Sequence, residues 1–417
     1  MEAKLTSGYL NLNLTLSQEP GICLSMIVKN EAHVIEQALN SIKELVDYVV
    51  VVDTGSTDTT PEVIEDWLLQ NDVPGRVVRS SWYGFAGSRN EALREAAKHK
   101  SHALILDADD YLVCEGNVTP NDVGKKLRQM VSETRDAKNV RGVDMLLGTT
   151  VLNTLRFCRP FLVRNNGIYK WKGRVHESLY PTKLMPKGYQ EVRMVMADCH
   201  IGTKFEGARS KEGFRAKYAK DATEIVAEMA EKRAARMLFY LAQSYRDSEQ
   251  SEKALPFYVA RGRLTDTDVD QRYYALIQAA WIQNNVLHNV AEAKKLYKEA
   301  YEVLKRPEAA YWMSVLSEKD GLFHEALTWA KIAHFQCSYQ PNAFCADIKL
   351  KNEWVPNMVN WLTGLCRPEK NTQDNATHAT PGTKKCKKKK SKRSLVAKGL
   401  GPKQVGATAV TAPPTKA

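Results

Sequence analysis

The chain has 417 residues, 43% hydrophobic and 26% charged, with 23 Gly and 16 Pro. That composition is globular and long enough for two or three domains of roughly 150 residues; it excludes a wholly disordered, collagen-like or disulfide-scaffold protein. The formal net charge of +12 is unevenly spread: residues 371–417 hold 11 Lys and Arg against the acid Asp374, so this tail carries +10 and the other 370 residues carry +2.

Apolar runs are short, such as Tyr48-Val49-Val50-Val51-Val52, whereas a membrane span takes about 20 such residues. Met1-Glu2-Ala3-Lys4 leads into polar sequence without the pattern of a signal peptide, and none of the eight Cys stands at C-x-x-C spacing. A cytoplasmic location with reduced thiols is therefore expected, and a zinc knuckle is not.

Residues 1–20 read as an extension. From Gly21 onward, strand and helix alternate. Ile22 to Val28 is predicted as a strand and Glu31 to Leu45 as an amphipathic helix, with Ile35, Leu39, Ile42 and Leu45 on one stripe. Tyr48 to Val52 is a buried strand, and Pro61 to Leu69 a helix with Thr60 at its cap. Arg76 to Arg79 is a strand, Ser88 to Lys98 a helix and Ala103 to Leu106 a strand. This alternation predicts a mostly parallel sheet with helices on both faces. Such sheets bind ligands at the carboxyl ends of their strands.

From about Glu206 the pattern turns helical. Ala254 precedes Tyr258, Ala293 precedes Tyr297 and Ala326 precedes Trp329. The spacing is near that of tetratricopeptide-type helix pairs, in which a small residue sits where helices cross. Pro256 is awkward inside such a helix. The expected organisation is an α/β domain over 21–205, an all-α helical-repeat domain over 206–370 and a disordered basic tail over 371–417. The tail has no Phe, Trp or Tyr and cannot bury enough apolar surface to order itself. Its Lys384 to Arg393 cluster is either a solubilising segment or attracted to an anionic membrane surface or a nuclear import receptor.

Two acidic segments carry the chemistry. Asp107-Ala108-Asp109-Asp110 follows the strand that ends at Leu106. Carboxylates spaced like Asp107 and Asp109, at a strand end, can hold Mn2+ or Mg2+ together with a diphosphate. Asp266-Thr267-Asp268-Val269-Asp270 has similar composition but no preceding strand, and it lacks the Gly and Glu of a calcium loop; it reads as a solvated turn. Asp53 ends the second strand and opens Asp53-Thr54-Gly55-Ser56-Thr57-Asp58. It fits either a carboxylate that accepts from a nucleotide base or a turn and cap with no ligand.

Together, Ser25 to Glu31, Val52 to Asp58, Ser88 to Ala92 and Leu106 to Asp110 resemble the family 2 glycosyltransferases, which have the GT-A fold. Trp171-Lys172-Gly173-Arg174-Val175-His176-Glu177 and Asp198-Cys199-His200-Ile201-Gly202 extend the resemblance to bacterial and viral members with tetratricopeptide-like helices, and to bacteriocin S-glycosyltransferases. One departure is Asp58-Thr59, where the family often has Gly after the Asp. The resemblance implies an inverting transfer from a nucleotide-diphosphate sugar, UDP-linked, to a peptide, protein or glycan acceptor held by the helices. It places Asp53, Arg89, Asp107, Asp109, Glu31 and Trp171 at the nucleotide sugar, and Asp109 and Asp107 at the metal.

Several roles stay open. Glu177 is either the general base or an ion-pair partner of Arg174 or Arg164, and Asp110 is the rival base. His200 is either a third metal ligand or a buried hydrogen-bonded residue. Trp171 either stacks on a sugar ring or packs in the core. Two different functions compete with the transferase: an inactive domain serving as a binding scaffold, and a nucleotidyltransferase. The second is disfavoured because Ser25 to Glu31 contains no Gly-rich phosphate loop.

Overall fold

A computed structural model of the protein describes residues 19–366 except 133–143, 153–154, 186–191, 205, 212, 232–234, 266–267, 338–345 and 348–349. The basic tail, nearly all of the 1–20 extension, and Asp266 and Thr267 lie outside the described residues.

In chain order the α/β half contains β1 (Ile22–Val28), α1 (Ile35–Ile42), β2 (Tyr48–Asp53), α2 (Thr60–Gln70), β3 (Gly75–Arg79), α3 (Gly84–Ala96), β4 (His102–Ile105), β5 (Asp110–Cys114), α4 (Pro120–Ser132), β6 (Met145–Leu152), β7 (Leu155–Arg164), β8 (Tyr169–Lys172), β9 (Ser178–Pro181) and β10 (Arg193–Thr203). Helices follow: α5 (Phe214–Glu231), α6 (Ala235–Asp247), α7 (Ser251–Arg263), α8 (Val269–Asn285), α9 (Val290–Val303), α10 (Pro307–Lys319), α11 (Phe323–Cys337) and α12 (Val355–Leu365), with the short strand β11 (Ala346–Asp347) before the last.

The main sheet runs β3-β2-β1-β4-β7-β6-β10-β5, with β11 added on β7. Its first four strands are parallel. β1 and β2 are unbroken apolar runs, as strands covered on both faces must be. Ile35, Ala38, Leu39 and Ile42 form the buried stripe of α1. They join Leu24, Met26, Val49, Val51 and Ile64 in one core, where each fully buried Leu or Ile stabilises by about 1.5–3 kcal/mol.

The other half corrects the expectation of a mostly parallel sheet. β7 is antiparallel to both β4 and β6, and β10 is antiparallel to β5 but parallel to β6. β5 leaves β4 after a turn and pairs instead with β10, Thr203 opposite Asp110. β8 and β9 form a separate two-stranded ribbon.

The helices pack in sequence, and the small residues singled out above sit on the second helix of successive pairs. Ala254, Ala293 and Ala326 are fully buried there, beside Tyr258, Tyr297 and Ala330. Pro256 stays within a continuous α7. The carbonyl that its missing N–H would have bonded belongs to Glu252, which is exposed and open to water. Sheet and helices share a core: Val175, in the loop between β8 and β9, is buried in the cluster built from α5 to α10, with Phe85 of α3 packed against it. The six cysteines among the described residues are free thiols. No helix among the described residues is long and apolar enough to cross a membrane.

Candidate functional site

The carboxyl ends of the parallel strands gather the acidic residues. β2 delivers Asp53 and β4 leads into Asp107, Ala108 and Asp109. With β1 between them, these strands lie two spacings apart, about 10 Å. Asp53 is 3% exposed. Its Oδ1 accepts from Ser56 N at 3.1 Å and Ser56 Oγ at 2.5 Å, so the carboxylate organises its own loop. That loop is knitted to the end of β1. Thr57 N donates to Asn30 Oδ1 at 2.7 Å, Asn30 N to Ser56 Oγ at 2.9 Å and Glu31 N to Thr60 Oγ1 at 2.8 Å. Asn30 takes a positive φ of 59°, a conformation Asn tolerates better than most residues.

Two arginines fix Asp107. Arg89 Nη2 of α3 donates to its Oδ1 at 2.6 Å, and Arg159 Nη1 of β7 to its Oδ2 at 3.2 Å. Burial pushes this carboxyl up, but the two guanidinium groups outweigh it and hold it at about 2. Asp109 has no such partner. Among the described residues its Oδ2 receives only the Gly207 amide, at 3.3 Å, and burial with the neighbouring Asp107 raises its pKa. Glu31 lies beside it and accepts from the Ala208 amide at 3.1 Å. Burial, reinforced by Asp109 and Asp107, pushes Glu31 up to about 7. A Cβ at Gly207 would stand 3.0 Å from Asp109 Oδ2 and 3.4 Å from Glu31 Oε1, tighter than ordinary packing.

Glu177 reaches the same place from the β8–β9 ribbon. Arg89 Nε donates to its Oε1 at 2.6 Å, so one guanidinium joins Asp107 to Glu177. The loop carrying Glu177 turns through Gly173 at φ 111° and His176 at φ 52°. It is anchored outside the sheet, with Arg174 N on Glu228 Oε2 at 2.9 Å and Arg236 Nη2 on the His176 carbonyl at 3.3 Å. Of the two pairings expected for Glu177, neither Arg174 nor Arg164 is taken: Arg174 pairs with Glu224 and Arg164 with Asp144.

Three expected residues have other places. Asp110 is 2% exposed and is bound by Arg159 Nη2 and by the Asp107 amide at 3.3 Å. This carboxylate is tied to β7 and to the turn before β5. Trp171 is 6% exposed and packs with Leu93, Ile105, Val163 and Leu179. Its backbone is clasped by the Asn90 amide at 2.9 and 3.0 Å, and the Arg89 guanidinium lies 5.3 Å from its ring centroid. Core packing, with support of Arg89, is its role rather than an open stacking face. His200 lies opposite Val113, three residues along the strand from the Thr203–Asp110 pair, or about 10 Å away. Its Nδ1 is 3.2 Å from Glu115 Oε1. It does not join Asp107 and Asp109, and among the described residues no group of three or more His, Cys, Asp and Glu is placed to hold a metal ion.

Arg159 was not among the expected residues. It is the charged residue on the buried face of β7, between Phe157 and Phe161, and that break in an apolar alternation is its signal. Gly207 and Ala208 carry no such mark.

The family model Glycosyl transferase family 2 matches residues 23–114, which run from β1 to β5 and include Asp53, Arg89, Asp107, Asp109 and Asp110. A TPR repeat-containing protein of Synechococcus elongatus is 35% identical over 95 residues, 22% of this chain and 22% of its own. An uncharacterized glycosyltransferase of Rickettsia bellii is 38% identical over 87 residues, 21% of this chain and 27% of its own. The chain thus spans about a quarter of the length of these curated relatives. Among solved structures, S. aureus TarS 1–349 in complex with UDP-GlcNAc is 19% identical, with 72% of this chain and 92% of that one covered and a TM-score of 0.31. The mannosyltransferase PcManGT from Pyrobaculum calidifontis, in complex with GDP-Man and Mn2+, is 18% identical, covering 69% and 88%, with a TM-score of 0.36. Residues 23–114 are thus similar to the family 2 glycosyltransferases.

Proposed function

We propose that this protein is a glycosyltransferase that moves a sugar from a nucleotide-diphosphate donor, UDP-linked, to a peptide, protein or glycan acceptor, with inversion at the sugar. The family match over residues 23–114 supports the class of reaction. The observation that carries the reading is the joining of Asp107 and Glu177 by the Arg89 guanidinium, at the strand ends where Asp53 also lies.

In this reading Asp53 faces the nucleotide and the Asp107–Asp109 pair faces the diphosphate. The donor set suits Mn2+ or Mg2+, which take one or two carboxylates and leave positions for phosphate oxygens. Asp109 would be the first ligand, and Asp107, held here by Arg89 and Arg159, the second. When bound, the cation supplies charge neutralisation for the leaving diphosphate.

Glu177 takes the proton from the acceptor as its oxygen or sulfur attacks the anomeric carbon. The bond from that carbon to the diphosphate oxygen breaks, and its electron pair leaves with the nucleoside diphosphate. Arg89 holds Glu177 in place and loses part of its hold on Asp107 as the diphosphate arrives. We take residues 21–205 as the transferase unit and 206–370 as the unit that presents the acceptor. The test is release of UDP from UDP-glucose by purified protein with Mn2+. Loss of release in Asp109→Ala supports the reading; undiminished release in that variant contradicts it.

A further inference from the structure

The last two helices leave an apolar tip. α11 and α12 run antiparallel: Val355, at the start of α12, clusters with Ala333 and Cys337, while Leu362 clusters with Ala326 and Ala330. Phe323 is the first residue of α11 and Leu365 the last of α12, so both lie at the same end of the pair, with Leu322 next to Phe323 in the chain. Phe323 is 41%, Leu365 49% and Leu322 48% exposed. Leu327 and Trp361, packed on the Leu362 cluster, are half-buried. Single exposed apolar residues are ordinary, whereas several gathered at one place mark a surface that meets a partner.

The chain leaves this tip for its most basic stretch. Residues 384–393 hold eight Lys and Arg, and residues 371–417 as a whole carry +10. Lys384 comes 18 residues after Cys366, a reach of at most about 60 Å. The apolar tip and the charge cluster are thus tethered to one point and can meet one surface. Two acids near the tip are engaged: Asp320 pairs with Lys294 at 2.5 Å, and Glu325 accepts from Ser317 Oγ at 3.1 Å.

We propose that the tip formed by Leu322, Phe323 and Leu365 and the basic cluster at 384–393 together dock the protein on an anionic lipid surface. Clustered cations contribute about 1 kcal/mol each near such a surface, and the apolar side chains enter the boundary between headgroups and acyl chains. Peripheral binding becomes stable when an apolar insertion and a polybasic patch act together. Trp361, apolar with one N–H donor, suits the headgroup level. Other partners fit less well. A second copy would bring another strongly positive tail against the first, and three side chains fall far short of the roughly 800 Å² per partner of a stable protein interface. A nucleic acid would meet the cations but leave the apolar tip unused, and residues 371–417 have no aromatic ring to stack on bases. The proposal is independent of the transferase reading.

The test is flotation of the full chain with vesicles of phosphatidylcholine alone and of phosphatidylcholine mixed with phosphatidylserine, at low and high salt. Binding to the mixed vesicles, weakened by salt and absent on phosphatidylcholine alone, is expected. Changing Lys387, Lys388, Lys389 and Lys390 together to Gln is expected to weaken partitioning by about 100- to 1,000-fold. Phe323→Ser with Leu365→Ser is expected to weaken it by about 10- to 100-fold, with a melting curve matching that of the wild type. Leu322→Ser, outside both helices, replaces that pair if the pair disturbs the fold. Absence of binding to the mixed vesicles overturns the proposal, and capture by a nuclear import receptor in that case gives the cluster to the receptor. Full binding by a folded tip variant also overturns it, because the cations would then act without the tip. Full binding by the lysine variant overturns it in the same way.

Discussion

Arg89 Nε donates to Glu177 Oε1 at 2.6 Å, a hydrogen bond between residues 88 positions apart in the chain. The same guanidinium holds Asp107, so a single side chain of α3 joins Asp107 to Glu177. Arg89→Ala leaves buried Glu177 without its cation and Asp107 with Arg159 alone. A loss of about 3–5 kcal/mol in unfolding free energy is expected, measured by urea denaturation. Arg89→Lys keeps one of the two contacts and is expected to fall between.

Glu177 and Asp110 separate by the kind of damage their loss causes. Glu177→Gln is expected to lower kcat by about 10²- to 10⁴-fold, the usual contribution of a general base, with KM for the donor little changed. Asp110→Asn removes the counter-charge of buried Arg159, so it should act first on stability. The check is paired: steady-state kinetics and a melting curve on each variant.

Gly207→Ala tests the close approach of the segment before α5. The added Cβ would stand 3.0 Å from Asp109 Oδ2, tighter than ordinary packing, so Asp109 or the backbone must move. An activity loss of up to about 100-fold is expected from a displacement of that order, together with a raised Mn2+ requirement. Gly213→Ala, where a Cβ would meet nothing but φ is 86°, should cost stability alone.

Acid should weaken the fold through His176. Burial, with Arg236, Arg209 and Lys217 nearby, lowers this imidazole from 6.5 to about 3. Between those values the unfolded chain binds a proton that the folded chain refuses. Stability from this group is therefore complete above pH 6.5 and declines as pH falls toward 3. His176→Gln should flatten the dependence of Tm on pH across that window, and an unchanged slope would show that the ring is not buried as described.

The parallel half was legible because its signals are local. Val49 to Val52 is an uninterrupted β-branched run, and the α1 stripe repeats at helical spacing. The helix expected from Glu31 begins instead at Ile35, because Asn30 turns left-handed and the Glu31 carbonyl first closes a turn with Val34 N. The antiparallel half was less legible. β5 finds its partner in β10, where Cys199 lies opposite Cys114, 85 residues away in the chain, and no local pattern encodes such pairing. At the site, Asp53, Asp107 and Asp109 announced themselves by ending strands. Gly207 and Ala208 did not, since nothing local sets them apart and only the tertiary fold brings their amides to Asp109 and Glu31.

The central claim is that the strand-end acids hold an activated sugar through a divalent cation. Its most direct measurement is calorimetric titration of the wild type and Asp109→Ala with UDP-glucose and related nucleotide sugars, with and without Mn2+. Saturable binding of a nucleotide sugar that needs Mn2+ and vanishes in Asp109→Ala is the expected result. Binding of equal strength without the metal, or in the variant, would contradict the account.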